Sequence, residues 1–181
     1  GLARYEQRVE EQWNTLPALT PTDAHRNWDS RRNRLETAMA ELAKRRGDID
    51  ALIAIKARDL STAMRFLDLA ELLKEHQRFD EALRWAEKGI AAFPKDRIDR
   101  LLAFAIEEHL RRNDTDAAEQ LAWQRFEQHP DSNAFFQFIA IGKQIDRLDT
   151  LRQRALSHLE GRVTAEENPA KKASVWNAST R

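Results

Sequence analysis

An all-α fold is expected from three observations. Apolar residues recur at helical spacing through most of the chain. No stretch alternates apolar and polar residues long enough to form a half-buried strand. The composition, with five Gly, five Pro and abundant Ala, Leu, Glu and Arg, favours helix over sheet. The clearest stripe is Ile98, Leu101, Leu102, Ala105, Ile106 and Leu110, whose i, i+3, i+4, i+7 spacing buries one side of a helix. Similar stripes run from Met64 to Leu73, from Ala117 to Phe126 and from Leu148 to Leu159.

Taken in order, residues 1–27 comprise an N-terminal helix and a loop. The helix covers residues 2–15 and ends before Pro17. Leu16-Pro17-Ala18-Leu19-Thr20-Pro21-Thr22-Asp23 holds two prolines and cannot continue it. Asp23 or Asp29 is placed to cap the next helix. Beyond it, Gly47-Asp48, Gln77-Arg78, Asn113-Asp114 and Asp146-Arg147 each lie between neighbouring stripes as turn signals. Asp50, Asp80, Asp116 and Asp149 follow as expected N-caps, their carboxylates accepting from free first-turn N–H groups.

These aspartates recur 30, 36 and 33 residues apart. Two helices per such unit is the pattern of an α-solenoid, in which no hairpin buries its apolar face alone. An irregular helical bundle is the alternative. The expected architecture is about four hairpins, residues 28–61, 62–94, 95–130 and 131–161, in a short right-handed solenoid. Gly161 should stop the last helix, leaving 162–181 as a polar tail.

The second unit supplies Phe66, Leu69, Ala70 and Leu73, then Phe79, Ala82, Ala86 and Gly89, with Pro94 closing it. It resembles a tetratricopeptide repeat: small residues let two helices approach, large ones fill the gaps, and the proline ends the second helix. The third unit keeps Ala118, Ala122 and Pro130 but has Ile106 where a small residue is expected. The first and fourth lack the proline and most of the small positions.

A wider resemblance rests on three segments in order. They are Trp13-Asn14-Thr15-Leu16-Pro17, then Gly47-Asp48-Ile49-Asp50-Ala51-Leu52 leading to Ala57-Arg58-Asp59-Leu60-Ser61, then the run from Asp80 through Trp85 and Gly89 to Pro94. Together they resemble the C-terminal helical region of bacterial SWIM zinc finger proteins, over roughly residues 1–160. The resemblance implies the scaffold region of a larger cytoplasmic bacterial protein. That family's zinc element is a Cys-x-Cys…Cys-x-His arrangement. This chain has no cysteine, so none of those ligands is present. The chain opens on Gly1 rather than Met, and a fragment of something longer is expected.

The composition narrows the chemistry. Lys plus Arg number 30 and Asp plus Glu number 30, so no overall field steers the chain onto nucleic acid or an anionic membrane. The absence of cysteine excludes disulfides, thiol nucleophiles and thiolate metal sites. No apolar run is long enough for a membrane-spanning helix, and no charged-then-apolar export signal opens the chain.

Catalytic and cofactor motifs are not found. Gly142-Lys143 has Gln137 where a phosphate-binding loop needs its earlier glycine, and periodicity puts it inside a helix. No serine is flanked by the glycines of a hydrolase elbow. The histidines, at 25, 76, 109, 129 and 158, form no i, i+4 pair and follow no Glu by three residues, so no metal site is expected. His76 and His129 fall at helix C-terminal ends, where imidazole suits the dipole, and His109 lies beside an apolar stripe. Adjacent acids such as Glu10-Glu11, Glu107-Glu108 and Glu166-Glu167 point about 100° apart on a helix and do not converge on a substrate. No catalytic residue and no cofactor are assigned.

The remaining candidate is a groove on the first helices of the hairpins. Aligning the units by their aspartates puts Thr37, Leu67, Ala103 and Phe136 at equivalent positions. An acid row, Glu41, Glu71 and Glu107, and a cation row, Lys44, Lys74, Arg111 and Lys143, flank them. A partly apolar floor between both signs of charge suits a protein or peptide partner. Glu41 to Lys44, Glu71 to Lys74 and Glu107 to Arg111 are expected as pairs within their helices. The second reading is auxiliary nucleic-acid contact along a basic edge formed by Arg31-Arg32, Lys44-Arg45-Arg46, Arg111-Arg112 and Lys171-Lys172. In the fourth unit Phe135, Phe136, Phe138, Ile139 and Ile141 leave little polar face, so this helix is expected to be covered on both sides. The chain's own Val175 and Trp176, or a partner, would supply the cover.

Overall fold

The computed structural model describes residues 1–23, 29–94 and 98–167. Among them are nine α-helices: α1 Leu2–Asn14, α2 Ser30–Arg46, α3 Ile49–Lys56, α4 Ala63–Glu75, α5 Phe79–Ala92, α6 Asp99–Arg111, α7 Thr115–Gln128, α8 Ser132–Gln144 and α9 Leu148–Glu167. A 3-10 turn lies at Pro21–Asp23. No strand occurs among the described residues, and none of their helices is long and apolar enough to cross a membrane. The chain divides into two compact units, Gly1–Glu108 and His109–Arg181, with the division inside α6.

All four turn signals become the same turn. Gly47, Gln77, Asn113 and Asp146 adopt left-handed φ values of 66°, 60°, 63° and 58°. The N–H of the next residue then reaches back to a carbonyl five residues earlier: Asp48 to Ala43, Arg78 to Leu73, Asp114 to His109 and Arg147 to Gly142. This closure satisfies carbonyls that the helix end leaves free.

The caps lie earlier than expected. Asp48 accepts from the Ala51 N–H at 2.8 Å and Asp114 from the Ala117 N–H at 3.3 Å, while α5 is preceded by Arg78. Asp50, Asp80, Asp116 and Asp149 instead occupy first helical turns. Each left-handed residue ends its helix so abruptly that the next helix begins two residues later. Asp29, as expected, caps α2, accepting from the N–H groups of Arg31 and Arg32.

Gly161 does not stop α9, which continues to Glu167. The expected start of the tail at residue 162 is therefore too early. Gly161 meets nothing within 4 Å and keeps an ordinary φ, so it lacks the left-handed backbone that terminates a helix. Val175 and Trp176 lie outside the described residues.

In Gly1–Glu108, α1 packs on α2 through Val9, Trp13, Leu35 and Ala43, joined by Leu52 and Ile55 of α3. The loop after α1 is pinned. Leu19 N–H donates to the Arg58 carbonyl at 2.8 Å, and Leu60 N–H donates to the Leu19 carbonyl at 2.9 Å. Arg58 lies 4.6 Å above the Trp13 ring and donates to the carbonyls of Trp13 and Leu16. Two of the segments behind the family resemblance therefore meet in one clasp.

α4 and α5 pack closely. Gly89 permits it: a Cβ there would fall 2.6 Å from Leu101 Cδ2 of α6 and 2.7 Å from Phe66 Cβ of α4. Ion pairs tie α2, α4 and α6 side by side. Arg65 donates to Glu36 at 2.7 Å and pairs with the buried Asp59 at 3.1 Å, and Lys74 reaches Glu107 at 2.7 Å and Glu108 at 3.0 Å. Arg78 similarly ties α5 to Asp50 of α3.

In His109–Arg181, α7 packs on α8, and α8 on α9, around Ala122, Phe126, Phe138, Leu151 and Ala155. The Phe126 and Phe138 rings stack 5.5 Å apart, 12° from parallel. Arg147 donates to Glu119 at 2.6 Å and to Asp116 at 2.7 Å, and Arg154 covers the Trp123 ring at 3.8 Å.

Candidate protein-binding surface

The first helices of unit Gly1–Glu108 carry two depressions. The better formed lies between the N-terminal ends of α4 and α6. It has a volume of about 130 Å³, and its lining is mostly Ala63, Met64, Leu67, Ile98, Arg100 and Leu101. A dry apolar cavity of about 150 Å³ takes a benzene-sized group, so this one suits a single aliphatic side chain. The second, on α2, is an open depression lined by Asn33, Arg34, Thr37 and Ala38.

The expected groove residues are treated unequally. Thr37 is exposed on the α2 depression and Ala103 is half-buried. Leu67 is only 2% exposed and shares the depression with Ile98, just before α6, and Leu101 of α6; it is the wall of a cup, not open floor. Phe136 is 68% exposed and belongs to the other unit, as do Arg111 and Lys143, both also exposed. Phe136 is thus bare among the described residues; the cover expected for it, Val175 and Trp176 or a partner, lies outside them.

The expected pair of Glu41 with Lys44 forms, at 3.1 Å. Lys74 turns instead to Glu107 and Glu108 of α6, and Glu71 meets Arg100 at 3.6 Å. A neighbouring helix lies within reach of these long side chains, so Lys74 and Glu71 each pair across helices instead. The hydrogen bond from Lys74 to Glu107 holds the Lys74 ammonium above its ordinary pKa.

Sequence reasoning missed Met64 and Arg100. Met64 is 45% exposed at the mouth of the cup, and the Arg100 guanidinium lies 3.7 Å from its sulfur. Their signal was available: Arg100 follows Met64 by 36 residues, the spacing of their two aspartates.

The basic edge is partly consumed by structure. Arg32 is buried and donates to the Pro17 carbonyl, and Arg46 pairs with Glu6 and Glu10 of α1, which raises its pKa. Lys171-Lys172 and His25 lie outside the described residues. His76 and His129 do cap helix C-terminal ends, and His109 is packed, its Nδ1 3.0 Å from Asp114. No group of three or more His, Asp or Glu among the described residues is arranged to hold a metal. No family model matches the chain, and no curated protein matches it.

Proposed function

We propose that the chain is a non-catalytic helical-repeat scaffold that holds a protein or peptide partner on the first helices of its hairpins. In this reading the hairpins are tetratricopeptide-like and stack in a short right-handed solenoid. The chain is then the C-terminal region of a larger bacterial protein of the SWIM zinc finger kind, working in the cytoplasm. Four identical left-handed turns support the repeat reading, as do the recurring ties, Arg78 to Asp50 and Arg147 to Asp116, at the starts of second helices. The clasp of Arg58 on Trp13 and Leu16 supports the kinship, since it gives those segments a common physical task.

The observation that carries the partner reading is the apolar cup beside Met64, rimmed by the two-thirds-exposed Arg100. An anchor side chain seated there would be desolvated by Leu67, Ile98 and Leu101. The test is selection of a displayed random-peptide library on the whole chain. Enriched peptides should share one aliphatic position, and Met64→Glu should weaken the best of them about tenfold or more with unfolding unchanged. Met64 is exposed, so this variant keeps its core. No enrichment, or binding indifferent to Met64→Glu, would overturn the assignment.

A further inference from the structure

The hairpin of α8 and α9 repeats that of α4 and α5 at an offset of 69 residues. The left-handed Gln77 matches Asp146, and Arg78 matches Arg147, each tied to an earlier acid. By the same offset Leu67 corresponds to Phe136 and Lys74 to Lys143. The environments of these matched residues differ sharply. Leu67 is 2% exposed because α6 lies on it, whereas Phe136 is 68% exposed. Lys74 grips Glu107 and Glu108 of α6, whereas Lys143 is exposed and has no ion pair among the described residues. The opposite side of α8 is filled by α7, through Phe126 on Phe138.

We infer that the open face of α8 around Phe136 and Lys143 docks an amphipathic helix of a partner protein, laid against α8 as α6 is laid against α4. The internal precedent fixes the chemistry of the occupant. On α6, Leu101 meets the α4–α5 pair, and the acids that hold Lys74 stand six and seven residues later. The partner helix therefore presents an aliphatic stripe, with carboxylates about two turns further on. Phe136, Ile139 and Lys143, at i, i+3 and i+7, form the receiving edge. This inference uses the His109–Arg181 unit alone and stands apart from the cup at Met64.

The probe is a labelled peptide copying Ile98–Arg112, titrated into the whole chain and followed by fluorescence anisotropy. Saturable binding is expected, weakened about tenfold or more by Phe136→Glu. Lys143→Glu should weaken it several-fold, and a peptide carrying Glu107→Lys and Glu108→Lys should recover the loss on that variant. Circular dichroism checks that both variants, changed at exposed positions, stay folded. Absence of saturable binding, or binding untouched by Phe136→Glu, would overturn the inference. So would concentration-dependent self-association abolished by Phe136→Glu, which makes a second copy the occupant. Binding that appears only after removal of residues 168–181 would overturn it too, since the chain's own end would then hold the face.

Discussion

Gln77, Asn113 and Asp146 hold left-handed backbone with a side chain attached, at a cost of about 1 kcal/mol each relative to glycine, whereas Gly47 holds it without strain. Asn and Gly announce such turns in the sequence, and Gln does not; Gln77 was readable only from its place between two stripes. Two of the helical glycines, Gly89 and Gly161, differ in another way. Gly89 is a contact point, with Leu101 and Phe66 where a methyl would go, whereas Gly161 faces open space. Gly89→Ala should therefore destabilise the chain by roughly 1–3 kcal/mol through overpacking. Gly161→Ala should stabilise α9 by about 0.5–1 kcal/mol through backbone entropy. Urea denaturation of both variants gives opposite shifts in midpoint if this is right; two shifts of the same sign would contradict it.

Between elements, the clasp on α1 shows how one cation organises a loop that has no regular structure. Arg58 donates to the carbonyls of Trp13 and Leu16 at the end of α1 while its face covers the Trp13 ring. Arg58→Ala should cost about 2 kcal/mol, since it takes its donor from the Leu16 carbonyl, one of several donors from the Trp13 carbonyl, and uncovers the indole. Limited proteolysis should then cut within residues 15–23 faster than in the parent chain. Lysine at this position, a point charge without the planar fork, should recover only a fraction of the loss. Unchanged cleavage in Arg58→Ala would show that the paired backbone at Leu19 holds the loop unaided.

For the molecule as a whole, pH tests the ion pairs. The hydrogen bond from Arg78 holds the Glu81 carboxyl below its ordinary value of 4.5. Its contribution to stability is complete above that value and is lost as the pH falls through the lower folded value. Glu81→Gln should therefore narrow the difference in urea midpoint between pH 7 and pH 3. An undiminished difference would assign acid sensitivity to other carboxylates. The raised Lys74 behaves oppositely: its contribution is present below 10.5 and is lost as the pH rises through the higher folded value. It belongs to the alkaline limb and leaves the acid one unaltered.

The helices and their turns were determined by the sequence alone, because both are local. A 3.6-residue apolar period names a helix, and two polar residues between stripes name the turn that ends it. Local chemistry also let Gly89 and His109 be read as packed positions. Tertiary structure decided what local pattern leaves open. Asp50 and Asp116 read as caps and became partners for arginines of another helix. Lys74 turned from an acid on its own helix to two on the next, because a neighbouring backbone lay within reach of its four-carbon stem. Leu67 and Phe136 occupy matching places in their hairpins, yet one is sealed and the other bare. Burial of such a residue depends on whether a further helix lies against it, and the residue itself carries no record of that.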